Sequence, residues 1–218
     1  MNDFSVLPSA LAYLYGDVLE SEFAGKTRLG FSEKLPCREI KIKKKDLATV
    51  MVVAGFSFLR KAGHLQLAPA KTGRILKRKG VHVTSAGSGV GFGGGLESQL
   101  LANVSGKLKK DDVASIVWQL WNGDSADPFG DVIRWAQEYL IAEGYFYLEE
   151  RRGIGKLLGK KRLPHCERVL TLQREADVLR AMLMAFRASE PEMYQQLWKD
   201  VGKGIASRQE QQDVDFDD

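Results

Sequence analysis

The stretch Asp46-Leu47-Ala48-Thr49-Val50-Met51-Val52-Val53-Ala54-Gly55-Phe56-Ser57-Phe58-Leu59-Arg60-Lys61-Ala62-Gly63-His64-Leu65-Gln66-Leu67 changes its period at one glycine. Leu47 to Leu59 is thirteen residues without a charge. A bilayer span needs about 20, so this run reads as a core or interfacial helix. Asp46 is the expected N-cap, its carboxylate accepting the orphan N–H groups of the first turn. The helix should reach Ala62, with Gly63 as the left-handed stop. Beyond Gly63, Leu65 and Leu67 alternate with His64 and Gln66, the period of a strand. A turn over Pro69 to Gly73 and a return strand over Ile75 to Thr84 complete a hairpin whose return begins basic, at Lys77, Arg78 and Lys79.

The same grammar recurs downstream. Asp127-Pro128 is a cap followed by proline at the first helical position. It opens a helix over Phe129–Glu143, and Gly144 stops it. Tyr145-Phe146-Tyr147-Leu148 then leads into a second hairpin, whose return carries Lys160, Lys161 and Arg162. Helix, glycine, basic hairpin thus occurs twice. Two copies make a weak internal repeat and not a solenoid.

Other elements follow from spacing. Leu7–Glu20 has helical periodicity, and residues 26–45 read as a loose hairpin or loop ending in a basic strand. Ser85–Gly95 holds six glycines in eleven residues, a flexible connector. Leu96–Val104 is a short helix, and Asp111 or Asp112 caps another that contains Ile116, Leu120 and Trp121. Helices over Thr171–Arg187 and from Ser189, with Ser189 and Glu192 as a capping box, close the chain. We therefore expect a mainly α fold with a helical core and two β-hairpins in a repeated helix-Gly-hairpin arrangement. One globular domain over 1–208 is expected, readable as two similar subdomains at 7–84 and 96–168 plus C-terminal helices. A disordered acidic tail should occupy 209–218.

The 218 residues carry a net charge of +4, with 44% hydrophobic and 28% charged residues, an ordinary globular mixture. Residues 41–80 hold eleven Lys/Arg against Asp46 alone, and 209–218 hold five acids and no base. Such asymmetry points to an anionic partner. The N-terminus lacks the basic and apolar regions of a signal peptide, so a cytoplasmic location is the expectation. Cys37 and Cys166 are too few for a disulfide framework, and no Cys-x-x-Cys pair exists.

Candidate sites were weighed individually. Gly89, Gly91 and Gly94 fit the spacing of a dinucleotide fingerprint, yet no βαβ alternation follows, so a linker is the better reading. His64, His82 and His165 lack metal-ligand spacing. No nucleophile elbow or Walker loop is present, so we expect no enzyme, no cofactor and no metal. Trp118, Trp121 and Trp135 sit at helical spacing as core or groove-lining residues. The basic runs, interleaved with Ile75, Leu76, Ile154, Leu157 and Leu158, suit an anionic membrane, with Leu157 and Leu158 entering the acyl boundary.

Leu148-Glu149-Glu150-Arg151-Arg152-Gly153-Ile154-Gly155-Lys156-Leu157-Leu158-Gly159-Lys160-Lys161-Arg162-Leu163-Pro164 resembles the hairpin of the Golgi phosphoprotein 3 family. Leu59–Leu67, Val81–Val83, Leu96–Leu101 and Trp118–Leu120 fall in the same order, so the resemblance covers about residues 46–168. It implies a mainly helical, non-enzymatic protein that binds phosphoinositide headgroups and self-associates through the hairpin. The family's headgroup pocket uses a tryptophan and arginines on the helices before the hairpins. Here helix 47–59 has neither, and helix 129–143 offers only Arg134 and Trp135.

The expected function is peripheral association with anionic lipid through Lys77, Arg78, Lys79, Arg134, Trp135, Arg151, Arg152, Lys156, Lys160, Lys161 and Arg162. A tandem winged-helix protein that binds nucleic acid is the alternative, since helix and wing occur in that order there too.

Overall fold

The structure is a computed structural model that describes residues 4–20, 32–72, 78–86, 94–104, 112–121, 125–150 and 160–214. Among these residues the chain forms nine helices and three two-stranded antiparallel sheets, a mainly α fold with hairpins. The elements run α1 (Pro8–Leu14), α2 (Gly16–Glu20), β1 (Ser32–Lys34), β2 (Lys41–Lys43) and α3 (Lys44–Lys61). Then come β3 (Leu65–Thr72), β4 (Arg78–Ser85), α4 (Gly95–Ala102), α5 (Val113–Trp118) and α6 (Pro128–Ala142). The chain closes with β5 (Phe146–Glu149), β6 (Lys161–Pro164), α7 (Cys166–Thr171), α8 (Gln173–Ser189) and α9 (Pro191–Val214).

Helix α3 is the axis of the molecule. Every residue from Leu47 to Leu59 is buried, and α1, α2, α4, α6, α8 and α9 all pack against it. The uncharged stretch Leu47 to Leu59, apolar on all sides of the helix, can satisfy its surface only this way. The helix starts earlier than the sequence suggested: Lys43 precedes it, and Asp46 lies in its first turn, still favourable to the helix dipole.

The repeat is visible in backbone hydrogen bonds. After α3, Gly63 (φ 76°) donates to Arg60 and His64 donates to Leu59. After α6, Gly144 (φ 72°) donates to Ile141 and Tyr145 donates to Leu140. Both are Schellman closures, which leave the glycine in the left-handed region. Each hairpin is then closed at its base by the matching bond, Ala86 to His64 and His165 to Tyr145. An added Cβ would meet nothing within 4 Å at Gly63, but would lie 2.8 Å from Arg168 Nη1 at Gly144. Gly63→Ala should therefore cost about 1–2 kcal/mol from backbone strain alone. Gly144→Ala should cost more, and urea denaturation of the two variants side by side checks the order.

Several boundaries differ from expectation. Leu7–Glu20 divides into α1 and α2 at Tyr15, and residues 32–43 form a third small hairpin. Pro69 is inside β3, opposite Val81, and not in a turn. Val81 turns its N–H away from β3 to Asp200 Oδ2 at 2.8 Å, so the pair needs no proline donor. Among the described residues the return strand runs over Arg78–Ser85, with residues 75–77 outside them, and Asp112 caps α5 as expected, through Ser115 N at 3.0 Å. Ser189 is no capping box: it ends α8 and donates to Phe186 O. The expected Thr171–Arg187 helix is α8, displaced by two residues at each end, with Thr171 closing the separate short α7, and α9 extends to Val214, past the start assigned to the acidic tail.

Candidate functional site

Hairpin β5–β6 is anchored at its base and exposed at its other end. Phe146 is buried against Tyr13, with ring centroids 6.2 Å apart. Arg162, opposite Leu148 in the ladder, donates to Gln137 Oε1 at 3.2 Å, and Gln137 Nε2 donates to the Tyr13 hydroxyl at 2.8 Å. Burial pushes the Tyr13 phenol well above its ordinary range, so it is a neutral post in this chain of bonds. Arg162 also pairs with Glu138 at 3.4 Å. These bonds fix the hairpin to α1 and α6.

Residues alternate between faces of a strand, so Leu148 lies on the side of Phe146. Yet Phe146 is 4% exposed and Leu148 47%. The apolar stripe continues beyond the point where the body covers it. On the other face Tyr147 is 41% exposed and stacks at 4.7 Å on His165. Lys160 and Lys161 are exposed beside them, and the nearest acid to Lys160 is Glu150 at 3.9 Å. Both partners of that pair are largely solvated, so the lysine charge remains available.

A cleft of about 750 Å³ lies beside the first half of α6. Trp121, Asp131, Arg134, Trp135, Gln99 and Asn103 are among its walls. Asp131 is buried and accepts from Trp121 Nε1 at 3.0 Å, and the Ser125 hydroxyl donates to it as well. Arg134 pairs with the same carboxylate. The Trp121 and Trp135 rings lie 5.5 Å apart. Asp127, also in the wall, accepts from Lys44 Nζ at 2.6 Å and caps α6 through Gly130 N at 2.9 Å. On α6, residues 131, 134 and 138 share one face, so a polar row runs from this cleft to Arg162 on the hairpin.

The expected anion-binding residues are thus divided. Lys79, Lys160 and Lys161 are exposed. Arg134 and Arg162 are in place but spend much of their charge on Asp131 and Glu138, carboxylates that sequence spacing did not flag. Lys77, Arg151, Arg152, Lys156, Leu157 and Leu158 lie outside the described residues, as do Gly89 and Gly91, and of Arg78 only the backbone is described. Trp135 lines the cleft and Trp121 is buried at its wall, while Trp118 is 38% exposed under the Arg208 guanidinium.

The cysteines require a correction. Cys37, in the turn between β1 and β2, is bonded to Cys166 at the start of α7, with a Cα–Cα distance of 5.4 Å. That separation is in the middle of the range a disulfide spans. The pair is 129 residues apart in sequence, so no local spacing announced it.

Among the described residues, no three His, Cys, Asp or Glu side chains gather as metal ligands. No helix among them is long and apolar enough to cross a membrane. No family model matches this chain, and neither a curated protein nor a solved structure does.

Proposed function

We propose that this is a non-enzymatic protein that binds the surface of anionic membranes peripherally, with hairpin β5–β6 against the headgroup layer. The observation that carries this reading is the uncovered apolar stripe, Leu148 on one face and Tyr147 on the other, beside Lys160 and Lys161. Apolar side chains flanked by cations match a boundary where acyl chains lie beneath phosphates. In sequence, residues 151–162 add Arg151, Arg152, Lys156 and Arg162 to those lysines, with no acid among them. The anchoring through Phe146, Gln137 and Tyr13 supports a hairpin that is presented rigidly, which lowers the entropic cost of docking.

A nucleic acid is the other polyanion to consider. Helix α3 is buried on every side, which leaves that helix no face to lay in a groove. The two partners separate in one experiment. Lys160→Ala with Lys161→Ala should weaken partition into phosphatidylserine-containing vesicles by about 30-fold, at about 1 kcal/mol per cation. Leu148→Ser, which changes no charge, should also lower vesicle partition and leave mobility shifts of a random duplex unaltered. Equal vesicle binding by wild type and Leu148→Ser would overturn the membrane reading, and together with duplex binding that is lost in the Lys160→Ala, Lys161→Ala variant it would favour nucleic acid.

A further inference from the structure

The described residues contain six exposed large hydrophobic side chains; Ile40 and Leu170 lie on the two elements that Cys37–Cys166 joins, and Tyr147 and Leu148 lie on the neighbouring strand β5. Ile40 closes the β1–β2 turn by accepting from Leu35 N, three residues after Cys37. Leu170, at 57% exposure, is one helical turn from Cys166 on the same side of α7. Tyr147 stacks on His165, the residue before Cys166. The sulfurs therefore hold an N-terminal turn against the start of α7, at the base of the hairpin, and Ile40, Leu170 and Tyr147 lie on the segments that meet there. Lys41, exposed next to Ile40, gives this turn the same pairing of cation and apolar side chain as the hairpin.

We propose that the Cys37–Cys166 bond joins the β1–β2 turn and hairpin β5–β6 into one lipid-facing surface, and that reduction of this bond lowers affinity for acidic membranes. The proposal rests on the membrane reading above and adds to it a second contact and a means of control. Cys166 occupies an exposed position, so a thiolate can reach the bond. The reaction is exchange with a dithiol. One thiolate of the reductant attacks a sulfur of the pair, the Cys37–Cys166 bond breaks, and the released cysteine thiolate takes a proton. The second thiol of the reductant then resolves the mixed disulfide. Two electrons pass, both cysteines end as thiols, and the dithiol ends as its own disulfide. Without the bond, the turn is no longer tied to α7, and Ile40 and Lys41 cease to act together with the hairpin.

The test uses the full chain, oxidised and dithiothreitol-reduced, on phosphatidylcholine vesicles with and without phosphatidylserine. Alkylation reports the thiol state and far-UV circular dichroism the fold. Reduced protein should partition at least about fivefold less into the acidic vesicles, the effect of losing the Lys41 cation alone, with the lost apolar contact adding to it. Cys37→Ser should match the reduced protein with or without reductant. Ile40→Asp with the disulfide intact should show a similar loss, and it decides the matter where reduction unfolds the chain. Oxidised and reduced protein binding equally, or Ile40→Asp binding like wild type, would overturn the proposal and leave the membrane reading standing. Absence of binding by oxidised wild type to acidic vesicles would remove both.

Discussion

Glu97→Ala should lower the stability of the fold by about 3–5 kcal/mol in urea denaturation, because it leaves buried donors without an acceptor. Helix α1 enters through Leu7, whose side chain cannot cap it, and Pro8 occupies the first helical position. The next orphan donor, Ser9 N–H, bonds to Glu97 Oε1 at 2.8 Å, and the Ser9 hydroxyl donates to Oε2 at 2.7 Å. The carboxylate comes from α4 and is fully buried. It caps a helix to which it does not belong, and the positive end of that helix favours its charge. Tyr139 performs the parallel task for Leu7 N at 3.2 Å, its phenol pushed up to about 12 chiefly by burial.

The pH dependence has a definite sign. Burial raises the Glu97 carboxyl above its ordinary 4.5, more than the Ser9 bonds lower it. The folded state therefore retains this proton to higher pH than the unfolded chain does. The contribution of Glu97 is greatest below pH 4.5 and declines as pH rises through the folded-state value. Glu97→Gln cannot titrate and keeps one acceptor for Ser9. It should cost less than Glu97→Ala, and its deficit relative to wild type should shrink between acid and neutral pH. A deficit that grows with pH would show that the ionised form is the better partner of Ser9.

Most of what was legible from sequence was local. The stop at Gly144 and the cap at Asp127 each need only a few neighbouring residues, and both stand where spacing put them. The repeat of helix, glycine and hairpin was legible for the same reason. What sequence did not show is what tertiary contact adds. Pro69 looked like a turn because a strand proline loses a donor, but in its pair with Val81 the nitrogen faces away from β4 on the open edge of a two-stranded sheet, while Asp200 on α9 takes the outward N–H of Val81. Arg162 looked like a free cation because Glu138 becomes its partner only when the hairpin docks on α6, whereas Asp131 and Arg134 are an i,i+3 pair that helical spacing alone brings together. The cleft beside α6 joins residues 99 to 135 from α4, α6 and the connections beside them, a grouping no periodicity reveals.

The cysteine pair is the extreme case of this limit, and its removal should be as costly as that of Glu97. The bond closes a loop of 129 residues by sequence separation. In the chain-entropy account, a loop of that size stabilises the native state by about 4–5 kcal/mol through restriction of the unfolded chain. For a chain of this length, each kcal/mol moves the melting temperature by about 2–4 °C, so reduction should lower it by roughly 10 °C. Part of that effect belongs to the native state, since the bond also holds the β1–β2 turn, whose Arg38 reaches Asp17 at 2.9 Å and lies over the Tyr15 ring. A double variant, Cys37→Ser with Cys166→Ser, separates the two contributions. If the unfolded-state term dominates, oxidised wild type and the variant should have the same circular dichroism and the same unfolding rate, and the variant should fold more slowly. If the native contacts of the turn dominate, the variant should unfold faster. Stopped-flow unfolding in urea distinguishes these outcomes. A melting temperature that does not change on verified reduction would mean that core burial around α3 alone holds the two ends of the chain together.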